Sequence, residues 1–227
     1  MKENCARIVI ILDRSGSMNS VREAAVAGFN DFVRKQREYE GEVNVKLVQF
    51  DDQYEVAFDK ALAEVPELAQ DTFVPRGNTA LYDAQGKTIV ALGEELAALP
   101  ECERPSKIIV MTLTDGLENA SREYSLEMVA DLIRHQTEKY SWDFIFLGAN
   151  QDAVQTAASM NINVNAALTF GASHASMRRA FDAASVGVLD GLRSRRRLAF
   201  SNETRKAVLA NDDKEAASSS AGNSASR

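Results

Sequence analysis

The sequence predicts an α/β protein whose doubly wound, mostly parallel sheet has about six strands, one antiparallel edge strand and helices on both faces. Three observations predict it. Two short apolar runs, Arg7 to Leu12 and Ile108 to Leu113, have the composition of strands buried on both faces of a sheet. Between such runs lie stretches in which apolar residues recur every three or four positions, the spacing of a helix with one buried face. Two further runs, 43–50 and 54–58, are separated only by Asp51-Asp52-Gln53, a link too short for a parallel crossover.

The elements follow in order. After the first strand, Val21, Ala25, Phe29, Phe32 and Val33 mark a helix from about Ser20 to Glu38. Val43 to Phe50 and Tyr54 to Phe58 read as two strands, the second at the antiparallel edge. The turn Pro75-Arg76-Gly77-Asn78 leads into a long helix predicted over Thr79 to Leu99, which Pro100 stops. Ile108 to Leu113, a helix over Leu126 to His135 and a strand over Phe144 to Leu147 come next. A helix over about Gln151 to Met160, a strand over Ala167 to Phe170 and a helix over about Ser173 to Leu192 complete the alternation.

Composition narrows the class. The chain has 227 residues, 45% of them hydrophobic, with 12 Gly and 4 Pro, enough apolar surface for one sizeable core and too little Gly and Pro for a collagen-like chain. No apolar run near the start is long enough to span a bilayer or to act as a secretory signal, and a soluble cytoplasmic protein is expected. Two cysteines, Cys5 and Cys102, do not make a disulfide scaffold; two free thiols are the expectation, with one bridge as the alternative. Residues 1–192 hold 18 Lys and Arg against 29 Asp and Glu, whereas 193–227 hold 8 against 4. Such an acidic body is a poor match for nucleic acid, except through Arg193, Arg195, Arg196 and Arg197. The chain divides accordingly into a domain over 1–192, a solvated, flexible basic extension over 193–210, and a tail over 211–227 whose composition predicts disorder.

The candidate chemistry lies at strand ends, where ligands of doubly wound sheets bind. The first strand stops at Asp13-Arg14-Ser15-Gly16-Ser17, and the strand over 108–113 stops at Thr114-Asp115-Gly116. Thr79, after a Gly-Asn turn, adds a third hydroxyl. A carboxylate at the exit of an apolar strand calls for a positive partner. Two carboxylates and three hydroxyls, without His or Cys, suit a hard cation such as Mg²⁺ rather than zinc or copper. Taken one at a time, Asp13 and Asp115 also suit helix caps and Ser15 to Ser17 a turn. Arg14 and Met18 flank the site, Arg14 expected as an exposed rim residue and Met18 as packing. Asn150 and Asp152 form a second polar spot, read as a cap of the following helix.

Asp13-x-Ser15-x-Ser17, Gly77-Asn78-Thr79 and Thr114-Asp115-Gly116 together resemble the metal-ion-dependent adhesion site of von Willebrand factor type A domains. The likeness runs from about Arg7 to Leu192, and Phe144 to Asp152 is similar to a segment of stand-alone bacterial and phage members. The resemblance implies the Rossmann-like fold of that family and a Mg²⁺ site, for which Mn²⁺ or Ca²⁺ would also serve. Ser15 and Ser17 would bind the metal directly, Thr79, Asp13 and Asp115 directly or through water, with Arg14, Asn78 and Gly116 at the rim. It further implies a protein partner that presents Asp or Glu to the metal, and an intracellular accessory or adaptor role, sometimes beside an AAA+ ATPase.

Enzyme readings fit less well. Gly86-Lys87-Thr88 has Leu81 where a phosphate-binding loop needs its first Gly, and no Gly-x-Ser-x-Gly elbow surrounds Ser15. His135 and His174 are predicted far from the strand ends, leaving no base for a Ser-His-Asp triad. The alternatives carried forward are a phosphatase-like hydrolase using Asp13, although Ser15 breaks the Asp-x-Asp pattern such enzymes show, and a structural protein with a vestigial site.

Overall fold

The computed structural model describes residues 1–149, 153–171 and 173–209. Six strands, β1 (Lys2–Asp13), β2 (Glu42–Phe50), β3 (Tyr54–Ala61), β4 (Pro105–Thr114), β5 (Asp143–Ala149) and β6 (Ala167–Phe170), form one sheet in the order β3-β2-β1-β4-β5-β6. β3 runs antiparallel to β2, and the other pairings are parallel, as the three-residue link before Tyr54 required. The helices are α1 (Arg22–Gln36), α2 (Leu81–Ala98), α3 (Leu126–Tyr140), α4 (Ala153–Ser159), α5 (His174–Ser194) and α6 (Asn202–Leu209).

β1 is buried on both sides because its side chains alternate between two cores. Ile8, Ile10 and Leu12 join the core under α1 and α5, where Phe29, Phe32 and Phe181 are fully buried; Val9 and Ile11 join the opposite core under α2 and α3. After β1 the chain winds to β2 and β3 on one side, then crosses to β4 on the other. This reversal puts the carboxyl ends of β1 and β4 side by side, with Leu12 in register with Leu113, and opens a crevice between the loops that leave them.

Two sequence expectations need correction. The helix predicted from Thr79 starts at Leu81, because the Thr79 backbone bonds sideways: its N–H donates to Asn119 Oδ1 at 2.9 Å, and its carbonyl accepts from the amides of Asn119 and Ala120. The segment after α5 is also not a solvated extension. Leu198, Phe200 and Val208 are buried in the α1–α5 core, and α6 packs near α5 and β6. Gly187 and Gly191, one turn apart on α5, make room for it: a methyl group on Gly187 would stand 3.0 Å from the Phe200 ring, and one on Gly191 would stand 2.6 Å from Leu198. Arg197 donates to the carbonyls of Trp142 at 2.7 Å and Thr137 at 2.8 Å, and Arg195 pairs with Glu3 and Asn4, so these arginines tie the chain down at the amino-terminal end of the sheet. The tail expected over 211–227 and the polar spot at Asn150 and Asp152 lie outside the described residues.

Candidate metal centre

Asp13 closes β1 at the bottom of the crevice and is fully buried. One carboxylate oxygen accepts from the Ser15 amide and the other from the Thr114 hydroxyl, both at 2.6 Å. The first bond turns the chain sharply after the strand, so that the Ser15 and Ser17 hydroxyls come to 3.1 Å from each other. Ser17 in turn donates to Asp115 Oδ1 at 2.6 Å across 98 residues of sequence. Gly116 fixes where Thr79 stands: a methyl group on Gly116 would lie 2.8 Å from Thr79 Oγ1, 3.5 Å from Ser17 Oγ and 3.7 Å from Asp13 Oδ2. The structure therefore gathers Asp13, Ser15, Ser17, Thr79 and Asp115 at one place. Asn78 is exposed beside Thr79, and Gly116 forms part of the cradle wall.

Buttressing comes from the loop after β4. Glu118 accepts from the Tyr82 amide at the start of α2, while Asp83 on that same first turn accepts from the amides of Arg122, Glu123 and Tyr124. This reciprocal capping satisfies orphan donors of the helix and fastens the start of α2, next to Thr79, to the loop that begins with Asp115. Burial pushes the Asp83 carboxyl up, but the three amides outweigh it and hold the group below the usual range. Burial prevails at the crevice. It raises the Asp13 carboxyl to about 6 against the hydrogen bonds from Thr114 and Ser15, with the nearby Asp115 adding to the rise, and it raises Asp115 against the bond from Ser17.

Arg14 departs from its expected place at the rim. It is 6% exposed and turned away from the hydroxyls, with Nε 3.1 Å from Asp51 Oδ2 and Nη1 2.8 Å from Glu55. Arg76, half exposed, holds the same Asp51 oxygen at 2.8 Å. Met18 is fully buried, as packing requires. His174 comes closer than its sequence position suggested, its Nε2 lying 2.8 Å from the carbonyl of Ser20, three residues beyond Ser17. Thr114, Asp51, Glu118 and Asn119 also shape the site without having been singled out. Thr114 sits in the Thr-Asp-Gly run and shows a strand-end signal; the others act through contacts between distant loops that leave no local pattern. Cys5 is buried and Cys102 exposed, and both are free thiols.

Five oxygen-bearing side chains, two of them carboxylates driven toward the neutral form by burial, fit a hard cation, which would favour their ionised forms. Among the described residues no group of three or more His, Cys, Asp or Glu side chains is placed to hold a metal ion, so the set depends on neutral hydroxyls for most of its donors. Both oxygens of Asp13 are engaged by Ser15 and Thr114, an arrangement that holds the group still. Among the described residues no helix is long and apolar enough to cross a membrane.

No protein-family model matches the chain, and no curated protein does. Solved structures do. The von Willebrand factor domain of the type V pili tip protein Mfa5 from Porphyromonas gingivalis superposes with a TM-score of 0.60 at 12% identity, covering 87% of this chain and 98% of its own. Proximal thread matrix protein 1 from the mussel byssus, in a form with a zinc-occupied metal-ion-dependent adhesion site, gives 0.56 at 20% identity over 87% of this chain. A von Willebrand factor type A protein from Catenulispora acidiphila gives 0.56 at 14% identity over 81%. This chain spans about half the length of the mussel proteins it matches, 46% and 48% in two crystal structures. At these identities the likeness is one of architecture, and it agrees with the strand order and the strand-end crevice: the chain has the fold of von Willebrand factor type A domains.

Proposed function

We propose that this chain is a metal-dependent protein-binding module, in which Asp13, Ser15, Ser17, Thr79 and Asp115 hold Mg²⁺ and an Asp or Glu of a partner protein completes the metal's oxygen shell. The convergence of Asp13, Ser17 and Thr79 on the Gly116 cradle, with Ser15 and Asp115 in hydrogen-bond reach of Ser17, carries the reading. Mg²⁺ takes about six oxygens in near-octahedral geometry and keeps some water, so a metal bound here offers a position that a carboxylate can take. The residues divide the work. Ser15 and Ser17 supply oxygen without charge, which leaves the cation enough positive charge to attract an acid despite the acidic body around it. Thr114 and the Ser15 amide keep the Asp13 carboxylate aimed, while Asn119 holds the Thr79 amide and Glu118 the Tyr82 amide just after it. The mussel relative with zinc in its adhesion site supports the metal dependence in general; Mg²⁺ and the acidic partner are our inference.

The test is Ser15→Ala combined with Ser17→Ala. Wild-type protein should melt higher in Mg²⁺ than in chelator: at a hundred times the Kd the stabilisation is about 2.7 kcal/mol, or roughly 5–10 °C for a domain of this size. The double variant should fold and show no shift, and a Mg²⁺ shift that survives both changes overturns the assignment. A chelator-sensitive pull-down through an acidic segment tests the partner half of the proposal, and Mg²⁺-dependent turnover of an aryl phosphate, lost in Asp13→Asn, would favour the hydrolase instead.

A further inference from the structure

Asp51 is fully buried at the start of the β2–β3 link and donates no oxygen to the five-residue set, yet two other loops are fastened to it. Its Oδ2 accepts from Arg14 Nε at 3.1 Å and from Arg76 Nε at 2.8 Å, its Oδ1 accepts from the Gln53 amide at 2.6 Å, and its carbonyl accepts from the Ala80 amide at 2.9 Å. Arg14 lies between Asp13 and Ser15; Ala80 follows Thr79. Direct bonds between the two outer loops complete the joint, from the Arg76 amide to the Arg14 carbonyl at 2.8 Å and from the Gly16 amide to the Gly77 carbonyl at 3.2 Å. Gly77 is the hinge of this contact, with φ at +65°, a backbone region that strains side-chain-bearing residues.

We propose that Asp51 is a positioning residue for the metal centre: by joining the Asp13–Ser17 loop to the Arg76–Ala80 loop, it sets the distance of Thr79 from Ser15 and Ser17 and thereby the preference for a small cation. The inference rests on the metal-binding reading above. Its physical basis is the difference between two hard cations. Mg²⁺ requires oxygens at about 2.0–2.1 Å in near-octahedral array, whereas Ca²⁺ accepts about 2.3–2.6 Å and irregular geometry. A slip of a few tenths of an ångström in Thr79 therefore penalises Mg²⁺ far more than Ca²⁺. Asp51 also offsets the charge of two guanidinium groups beside a cation site, an electrostatic effect that weighs on both metals alike.

The test measures Mg²⁺ and Ca²⁺ affinities by calorimetry on the full chain, for wild type, Asp51→Asn and Arg76→Gln, with folding checked by circular dichroism. Losing a group that orients metal ligands costs roughly ten- to a hundredfold in affinity. Asp51→Asn should weaken Mg²⁺ by about tenfold and Ca²⁺ by no more than about threefold. Arg76→Gln removes a positive charge, so its electrostatic effect is the opposite of that of Asp51→Asn, but its loosening of the joint is the same; the ratio of Mg²⁺ to Ca²⁺ affinity should fall in both. Arg76 is half exposed, and its variant decides the matter should Asp51→Asn fail to fold. An unchanged ratio, or both metals weakened in proportion, overturns the positioning role while leaving the metal centre intact. Wild-type protein that binds neither cation overturns the metal reading, and this inference with it.

Discussion

Replacing Asp13 with Asn should make the metal-free protein more stable, although Asp13 is the most deeply buried acid of the site. The carboxyl is raised from 3.8 to about 6, chiefly by burial. At about 1.4 kcal/mol for each tenfold change in proton affinity, keeping it ionised in the folded chain costs about 3 kcal/mol at neutral pH. Asn carries no such charge and retains the hydrogen bonds. Its oxygen accepts from the Ser15 amide as before, and its amide donates to Thr114, whose hydroxyl proton turns to the Gly116 carbonyl 3.1 Å away. The pH dependence follows from the sign of the shift. A carboxyl whose folded pKa is raised opposes folding once it ionises, so wild-type stability falls as pH rises from about 4 to about 6 and stays lower above that. Asp13→Asn should thus gain up to about 3 kcal/mol over wild type at pH 7.5 in chelator, with the gain fading toward pH 4. Urea denaturation of both proteins across that range measures it. Mg²⁺ at a hundred times the Kd should close most of that gap, and at a thousand times, where binding adds about 4 kcal/mol, the order should reverse, because only wild type responds to the metal. An Asn variant less stable than wild type at pH 7.5 in chelator, or a gain of equal size at pH 4, would refute the reasoning.

Two further outcomes are expected. Gly116→Ala should place a methyl group 2.8 Å from the Thr79 hydroxyl and abolish the Mg²⁺-induced rise in Tm while changing the metal-free Tm little, as read in paired thermal scans. Asp83→Asn should destabilise the fold by about 1–3 kcal/mol near neutral pH, since the lowered carboxyl takes three amides, one more than a single amide oxygen readily accepts. That stability is present above the usual carboxylate range and is lost as pH falls through the depressed value, so acid denaturation curves of the two proteins should converge at low pH.

Much of this molecule is legible in one sequence because buried parallel strands tolerate little but Ile, Val and Leu. Ile8 to Leu12 and Ile108 to Leu113 announce themselves, and Asp13 and Asp115 are conspicuous where those runs stop. The short Asp51-Asp52-Gln53 link gave away the antiparallel edge. What escaped notice depends on encounters between distant segments. Arg14 has the composition of a rim residue and is buried only because Asp51 and Glu55 stand opposite it. Leu198, Phe200 and Val208 are scattered among charges with no helical or strand period, and the surface that receives them is on α5. Thr79 opens a helix by its neighbours but is claimed by Asn119, forty residues away.

The chain that returns over α5 bears on how this protein is cut for study. Gly187 and Gly191 form a trough that Leu198 and Phe200 fill and shield from water. A fragment ending at Leu192, where the alternating pattern of strands and helices runs out, would carry that trough bare and invite self-association. The smallest sensible expression unit therefore runs through Leu209, and its last stretch acts as a keel along α5, from the amino-terminal end of the sheet to the first turn of that helix, where the Ser176 hydroxyl donates to the Val208 carbonyl.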